Sequence, residues 1–261
     1  MRSKLIYCLG DSHVNFFSGN NILQPEWPKA HIDRVPIFRT YKLGAHLAYG
    51  LTRNDSHSRK KLFTVLKKIP KGSNIILCYG EIDCRVHLIR QSEEQKRSLE
   101  AVVNECVDKY FLVVKKIYDM GYKVIVFHLI PSTALNIIRE GFPTYGSPIE
   151  RNKVTIIFNR RLAYWAKKYN FSQVSLFDQL LLPSGSTNMK YYADPIHLST
   201  SALPMMLSEI HYHVPGIDRE LLWKKYKINY LEYIYFCVLR KLVVSLTIVL
   251  EWNIYKLKIL G

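Results

Sequence analysis

Short apolar runs alternate with longer stretches of helical periodicity along most of this chain. Residues 5–9 form the first run, ended by Gly10. Residues 74–79 form the second, ended by Gly80, and residues 123–130 the third, stopped by Pro131; a shorter run lies near 174–177. Runs of this length with little polar alternation predict strands buried on both faces. Between them apolar residues recur every three or four positions. Leu43, Leu47 and Leu51 predict a helix within 40–51, around Gly44. Leu62, Val65, Leu66 and Ile69 predict a basic helix over 56–69. Val102, Val103, Cys106, Val107, Tyr110, Val113, Val114 and Ile117 predict one long helix over 92–120, with Gly121 as its C-terminal cap. Further helices are expected over 152–169 and 201–211. Residues 20–36 and 137–148 collect Asn, Gly and Pro and read as loops.

Strands separated by helices in this way predict βαβ units, hence an α/β domain with a parallel central sheet and helices on both faces. Ligands bind such sheets at the carboxyl ends of the strands. Ser12, the segment from Gly80 to Arg85 and the loop after Pro131 all follow strand ends. The pattern changes near the C-terminus, so we divide the chain into an α/β domain over 1–212 and a basic, amphipathic helical segment over 213–261. Within 229–261 the helical period runs from Leu231 through Leu257, with a wide apolar arc. Lys224, Lys225, Lys227, Arg240, Lys241, Lys256 and Lys258 flank or punctuate it. Its longest charge-free stretch, 242–250, falls short of the ~20 apolar residues that a spanning helix needs. The arrangement suits a helix lying in an anionic membrane surface; packing on its own domain, or on a second copy of the chain, is the alternative.

Composition narrows the class. The 261 residues are 48% hydrophobic and 22% charged, which is globular, and 37 Lys+Arg against 21 Asp+Glu leave a formal net charge of +16. That excess favours anionic partners: acidic glycans, anionic lipid headgroups or nucleic acid. No zinc-finger spacing, aromatic RNA-binding motif or helix-turn-helix accompanies it, so nucleic acid is the least supported of these. The five cysteines, Cys8, Cys78, Cys84, Cys106 and Cys237, are scattered and form no CxxC pair. Neither a disulfide framework nor a metal site is expected. The first residues enter a strand without the long apolar region of a secretory signal. We therefore expect a cytoplasmic protein, peripheral on the inner membrane face where 229–261 binds lipid.

Candidate chemistry sits at the two ends of the α/β pattern. Ser12 lies in Gly10-Asp11-Ser12-His13, directly after the first strand. Asp194-Pro195-Ile196-His197 places a carboxylate and an imidazole three residues apart. A serine hydroxyl needs a base to take its proton and an acid to hold that base in the right tautomer. Read singly, Ser12 is equally a helix N-cap, Asp11 a turn former, and Asp194 and His197 a loop pair.

Together, Gly10-Asp11-Ser12, the Gly-x-x-Asp element Gly80-Glu81-Ile82-Asp83 and the late Asp-x-x-His resemble the SGNH/GDSL hydrolase superfamily over roughly residues 4–210. The resemblance implies a three-layer α/β/α, flavodoxin-like fold and a serine esterase or acyltransferase needing no cofactor. It implies Ser12 as nucleophile, His197 as base and Asp194 as its orienting carboxylate. Asp11 would hold the loop after the strand. Oxyanion donors would be the Ser12 backbone N–H and the N–H of a glycine after the second strand, for which Gly44 is the best match. A glycine that lets a helix pack is the alternative there.

The chain departs from the family at the third donor. The family has Gly-x-Asn-Asp, and here Ile82 stands at the asparagine position, without a hydrogen to donate. Arg85, His13 or His87 could reach in instead, and Gly80, Asp83, Arg85 and His13 are expected around the oxyanion and substrate. Glu81, Asp83 and Arg85 could equally form a structural ion network, and His13 a solvent-facing helix residue. Two functions follow. One is a serine esterase or O-acyltransferase acting on carbohydrate O-acyl, especially acetyl, groups, with homo-oligomerisation open. The other is a glycan- or membrane-binding module on the same fold without full oxyanion stabilisation.

Overall fold

In a computed structural model, residues 5–136, 143–218 and Leu222 are described. The chain divides into two units, 1–225 and 226–261, and all described residues belong to the first. The expected helix over 229–261 lies outside the described residues.

Five short strands, β1 (Ile6–Gly10), β2 (Phe38–Lys42), β3 (Asn74–Cys78), β4 (Lys123–Phe127) and β5 (Ser172–Val174), make one sheet in the order β2-β1-β3-β4-β5. Every neighbouring pair is parallel; Gly10 lies opposite Lys42 on one side and Cys78 on the other. This is the flavodoxin-like order. The chain leaves β1 for β2 on one side and returns to β3 on the other, so the strand order reverses around β1. A crevice therefore opens at the carboxyl ends of β1 and β3.

The six α-helices among the described residues are α1 (Asn15–Ser18), α2 (His57–Leu66), α3 (Leu88–Glu94), α4 (Leu99–Asp119), α5 (Pro148–Lys168) and α6 (Leu203–His213). Period-two alternation in the strands sorts the core into two layers. Leu9, Ile75, Leu77, Val124 and Val126 join the apolar faces of α2, α4 and α5 in one cluster. On the other face, the Phe17 ring of α1 meets Phe38 of β2 and Phe127 of β4 edge-on. Also outside that cluster, α6 packs beside β5 and buries Leu203, Met206, Leu207 and Ile210. Cys8, Cys78, Cys84 and Cys106 are buried free thiols.

The structure corrects several element boundaries. Residues 40–51 are not a helix: they contain the end of β2, a loop, and a 3-10 turn at Tyr49–Thr52. β2 is an edge strand with Arg39 exposed and Lys42 half-buried, so it lacks the continuous apolar run of the inner strands. The helix expected over 92–120 is two helices. Lys96 adopts φ +52° at the break, and Ser98 starts α4 by accepting a hydrogen bond from Ala101 N. α5 begins four residues before its expected start. Pro148 occupies its first turn, and Ser147 and Glu150 form a reciprocal capping box. Strand β4 ends at Phe127, and β5 precedes its expected position. Among the described residues, no helix is long and apolar enough to cross a membrane.

Candidate active site

Ser12 is placed by the end of β1. A Cβ on Gly10 would lie 2.1 Å from the Cys78 carbonyl oxygen, so only glycine fits there. Asp11 N then donates to Cys78 O at 3.0 Å, and Asp11 Oδ1 accepts from His13 N at 2.9 Å. Asp11 thus caps the 3-10 turn Ser12–Val14, and Ser12, half-buried, is its first residue. The N–H groups of a first turn have no partner within the turn, which leaves the Ser12 N–H available to an incoming oxygen.

His197 arrives from a tight turn 185 residues later. Asp194 Oδ1 accepts from the backbone N–H groups of Ile196 and His197, both at 2.8 Å. The turn is closed by Ala193 N donating to His197 O at 2.7 Å, and tied down by the buried Tyr192 hydroxyl on Pro131 O at 2.6 Å. The other Asp194 oxygen, Oδ2, meets His197 Nδ1 at 2.7 Å, and His197 Nε2 meets Ser12 Oγ at 2.7 Å. With the ring proton on Nδ1, Nε2 accepts from the Ser12 hydroxyl.

Electrostatics suit that tautomer. Burial would raise the Asp194 carboxyl, but the hydrogen bond and charge of His197 and two backbone donors outweigh it and lower it from 3.8 to about 2. His197 is lowered from 6.5: burial pushes it down, Asp194 pulls it up, and nearby His13 pushes it down again. The base is therefore neutral near pH 7.

A second buried cluster adjoins the first. His13 Nε2 lies 3.4 Å from Glu81 Oε2, and Glu81 Oε1 accepts from Arg85 Nε at 2.7 Å. Arg85 Nη1 donates to Pro143 O at 2.5 Å. The His13 and His197 rings are 5.0 Å apart between centroids. His13, Glu81 and Arg85 are all buried, so His13 is not a solvent-facing residue. Burial raises the Glu81 carboxyl, but the His13 contact and the Arg85 charge prevail and bring it to about 2. Burial lowers His13, yet Asp11 and Glu81 leave it raised overall. Asp11 itself is driven from 3.8 to about 7 by burial, against the pull of His13, and its Oδ2 has no hydrogen-bond partner.

The remaining expected site residues are held by contacts within the protein. Asp83 is buried and turned toward the loop after β2, accepting from Ala48 N at 2.8 Å and Tyr49 N at 3.2 Å. Both carboxylate oxygens thus anchor that loop. Gly44 lies in the same loop with φ +116°, outside any helix, and Leu43 N donates to Gly10 O at 2.7 Å, so the loop rests against the end of β1. Gly80 has φ +117°, and a Cβ there would press within 2.7 Å of the Phe158 ring; α5 packs directly over it. That close packing requires a glycine at this position. Arg85 commits Nε and Nη1 to the protein, which makes it a clamp for Glu81 first. Ile82 is half-buried and contributes no donor.

Glu81 pairs with Arg85, as the ion-network alternative expects, and its contact with His13 is the part that sequence reasoning missed. The signal for the pair was a carboxylate four positions before Arg85 in a segment that follows a buried strand. The buried Arg151, at the start of α5, was also missed. It donates to Ser132 Oγ at 3.2 Å, Thr133 O at 3.0 Å and Leu135 O at 2.6 Å, and so organises the loop after β4. A recess lined by Phe16, Phe127, Leu129, Ile130 and Leu198 is bordered by His13 and Glu81. Among the described residues no group of three or more His, Cys, Asp or Glu is arranged to hold a metal ion.

No family model and no curated protein matches the sequence. Solved structures do match. A Streptococcus pneumonia protein named for platelet activating factor aligns with a TM-score of 0.53 at 15% identity, over 81% of this chain and 83% of that one. A GDSL-like lipase from Bacteroides thetaiotaomicron aligns at 0.46 and 14% identity, over 80% and 86% of the two chains. An aryl esterase from M. smegmatis aligns at 0.44 and 14%, over 75% and 91%. At such identities the likeness is one of fold alone, and it is carried by the first of the three: the chain shares the α/β fold of that Streptococcus pneumonia protein.

Proposed function

We propose that this chain is a serine-dependent carboxylic ester hydrolase or O-acyltransferase, with Ser12 as nucleophile, His197 as general base and Asp194 as its orienting acid. The observation that carries this reading is the unbroken hydrogen-bonded line from Ser12 Oγ through both His197 nitrogens to Asp194. In the reaction, His197 Nε2 takes the hydroxyl proton as Ser12 Oγ bonds to the acyl carbon. Negative charge builds on the former carbonyl oxygen, and the Ser12 N–H, at the start of its 3-10 turn, is a backbone donor for it. The tetrahedral adduct collapses, the ester C–O bond breaks, and the proton on His197 passes to the departing alkoxide. Water, or a sugar hydroxyl, then gives its proton to His197 and attacks the acyl-serine, releasing the acid or a new ester. Asp194 stays ionised throughout and steadies the imidazolium.

For the substrate we favour carbohydrate O-acyl groups, acetyl above others. The formal charge of +16 supports an anionic glycan. Turnover of acetylated sugars and of para-nitrophenyl acetate by wild type, with neither turned over by Ser12→Ala, is the expected result. Equal rates in both proteins would refute the assignment.

One observation favours a second reading. Ile82 supplies no oxyanion donor, and one such donor is typically worth ~3 kcal/mol. A glycan-binding module with little turnover would show saturable binding to acetylated glycans and no rate above background. Residues 229–261 are proposed, from their sequence, to lie on anionic membranes. Deleting them should move the protein from the pellet to the supernatant with anionic vesicles; full-length protein that stays in the supernatant would contradict this.

A further inference from the structure

The structure holds a second buried histidine against the first, and the assigned mechanism does not use it. His13, the residue after the nucleophile, turns away from solvent and places Nε2 on Glu81, whose other oxygen is gripped by Arg85. A carboxylate between two cationic groups is common at surfaces. Here the residues are 9%, 5% and 4% exposed, so each needs a partner to remain charged. Arg85 cannot give up its proton, and Glu81 between it and His13 is ionised. Glu81 faces both cationic groups, with Oε1 at 2.7 Å from Arg85 Nε and Oε2, which makes no hydrogen bond, at 3.4 Å from His13 Nε2; with all three charged, the trio carries one net positive charge beside the His197 ring, 5.0 Å from the His13 ring.

We propose that Glu81, clamped by Arg85, holds His13 as a buried imidazolium beside His197, and that His13 is a positioning residue whose charge keeps the base neutral and ready to accept the serine proton. This rests on the serine-hydrolase reading above and adds a component to the same site. The need is visible in the geometry. Asp194 lies 2.7 Å from His197 and draws a proton onto the ring; burial opposes it first, and without the His13 charge added to burial the base would be blocked over more of the acid range. His13 opposes that pull from the other side. The same charge, one residue from Ser12, also favours the anionic oxygen that Ile82 cannot bind.

The charged groups around His13 come from four directions. Asp11, from the end of β1, adds to the negative side. Glu81, Asp83 and Arg85 come from the segment after β3. His197 and its partner Asp194 come from the closed turn around Tyr192. Arg151 of α5 reinforces Arg85 from farther out. Near neutral pH, burial keeps Asp11 partly protonated and Asp83 is spent on Ala48 and Tyr49. Glu81 is thus the full charge in contact with His13.

The test is nitrogen NMR titration of the histidine rings in the full chain, read beside the pH dependence of fluorophosphonate labelling at Ser12. In wild type, His13 should be protonated at pH 7 while His197 is neutral; a neutral His13 at that pH overturns the proposal without any variant. In His13→Gln the His197 midpoint should rise by about one pH unit, the scale expected for a unit charge at this range in a partly screened site. The acid limb of labelling should rise with it. His13→Lys, which restores a cation, should return both toward wild type. A loss of labelling rate in His13→Gln with an unmoved His197 midpoint would mean a merely structural role, and would also overturn it. No labelling of wild type at any pH would instead sink the hydrolase reading, while the ring titrations would still decide the charge state of His13.

Discussion

At the residue scale the account turns on one hydroxyl, one imidazole and one carboxylate. Ser12→Ala removes the attacking atom, and His197→Ala leaves the hydroxyl with its proton. Each should lower kcat/KM by about 10³-fold or more, with little change in thermal stability. Asp194→Asn keeps the shape but offers the wrong hydrogen to His197 Nδ1, and should cost about 10³–10⁴-fold. Because His197 is lowered below 6.5 and is active only when neutral, rate should fall as pH drops through that lowered value. The acid limb in kcat/KM against pH should therefore lie below pH 6.5; a limb well above it would contradict the burial and His13 effects assigned to the ring. These three residues were legible in the sequence because their spacing is a motif. Glu81 was legible only as an ion-pair partner of Arg85, because its contact with His13 depends on His13 folding back on it. Asp83 was misread for a related reason. A family motif says where a carboxylate sits in the chain, but not which way it turns, and here it turns to Ala48 and Tyr49.

At the scale of elements, the strands deliver the site and side-chain ties hold the loops between them. Asp83 is the tie for the loop after β2. Asp83→Ala would leave two backbone N–H groups without their acceptor and should destabilise the fold by about 2 kcal/mol in denaturant unfolding. The loss should be the same whether or not Ser12 is intact. A variant as stable as wild type would show that water replaces the carboxylate at no cost. The inner strands β1, β3 and β4 were legible because burial on both faces writes a continuous apolar run. β2 was not: half its side chains meet solvent, and Leu43, Leu47 and Leu51 beyond it imitate a helical stripe while serving a loop and a short turn. The break between α3 and α4 was hidden for a different reason. Apolar periodicity carries across Lys96, and only its left-handed backbone and the Ser98 cap mark the joint.

At the scale of the whole molecule, the parallel sheet and the excess of basic residues act together. Strand order brings β1 and β3 side by side, and thereby the early serine and the Glu81 segment; the late histidine returns past Pro131 at the end of β4. A net charge of +16 should steer anionic substrates toward the protein over distances that salt shortens. The rate constant kcat/KM for an acetylated acidic glycan should fall several-fold between low and high ionic strength, while that for para-nitrophenyl acetate stays nearly constant. Equal salt dependence for the two would remove the charge-based case for an anionic glycan.

The most direct test of the central claim is covalent labelling by a fluorophosphonate, followed by intact-mass and peptide-level mass spectrometry. The account predicts a single adduct on Ser12 in wild type, none in Ser12→Ala, and labelling slowed by orders of magnitude in His197→Ala. Folded wild-type protein that gains no adduct, or one that gains it equally without His197, would contradict it.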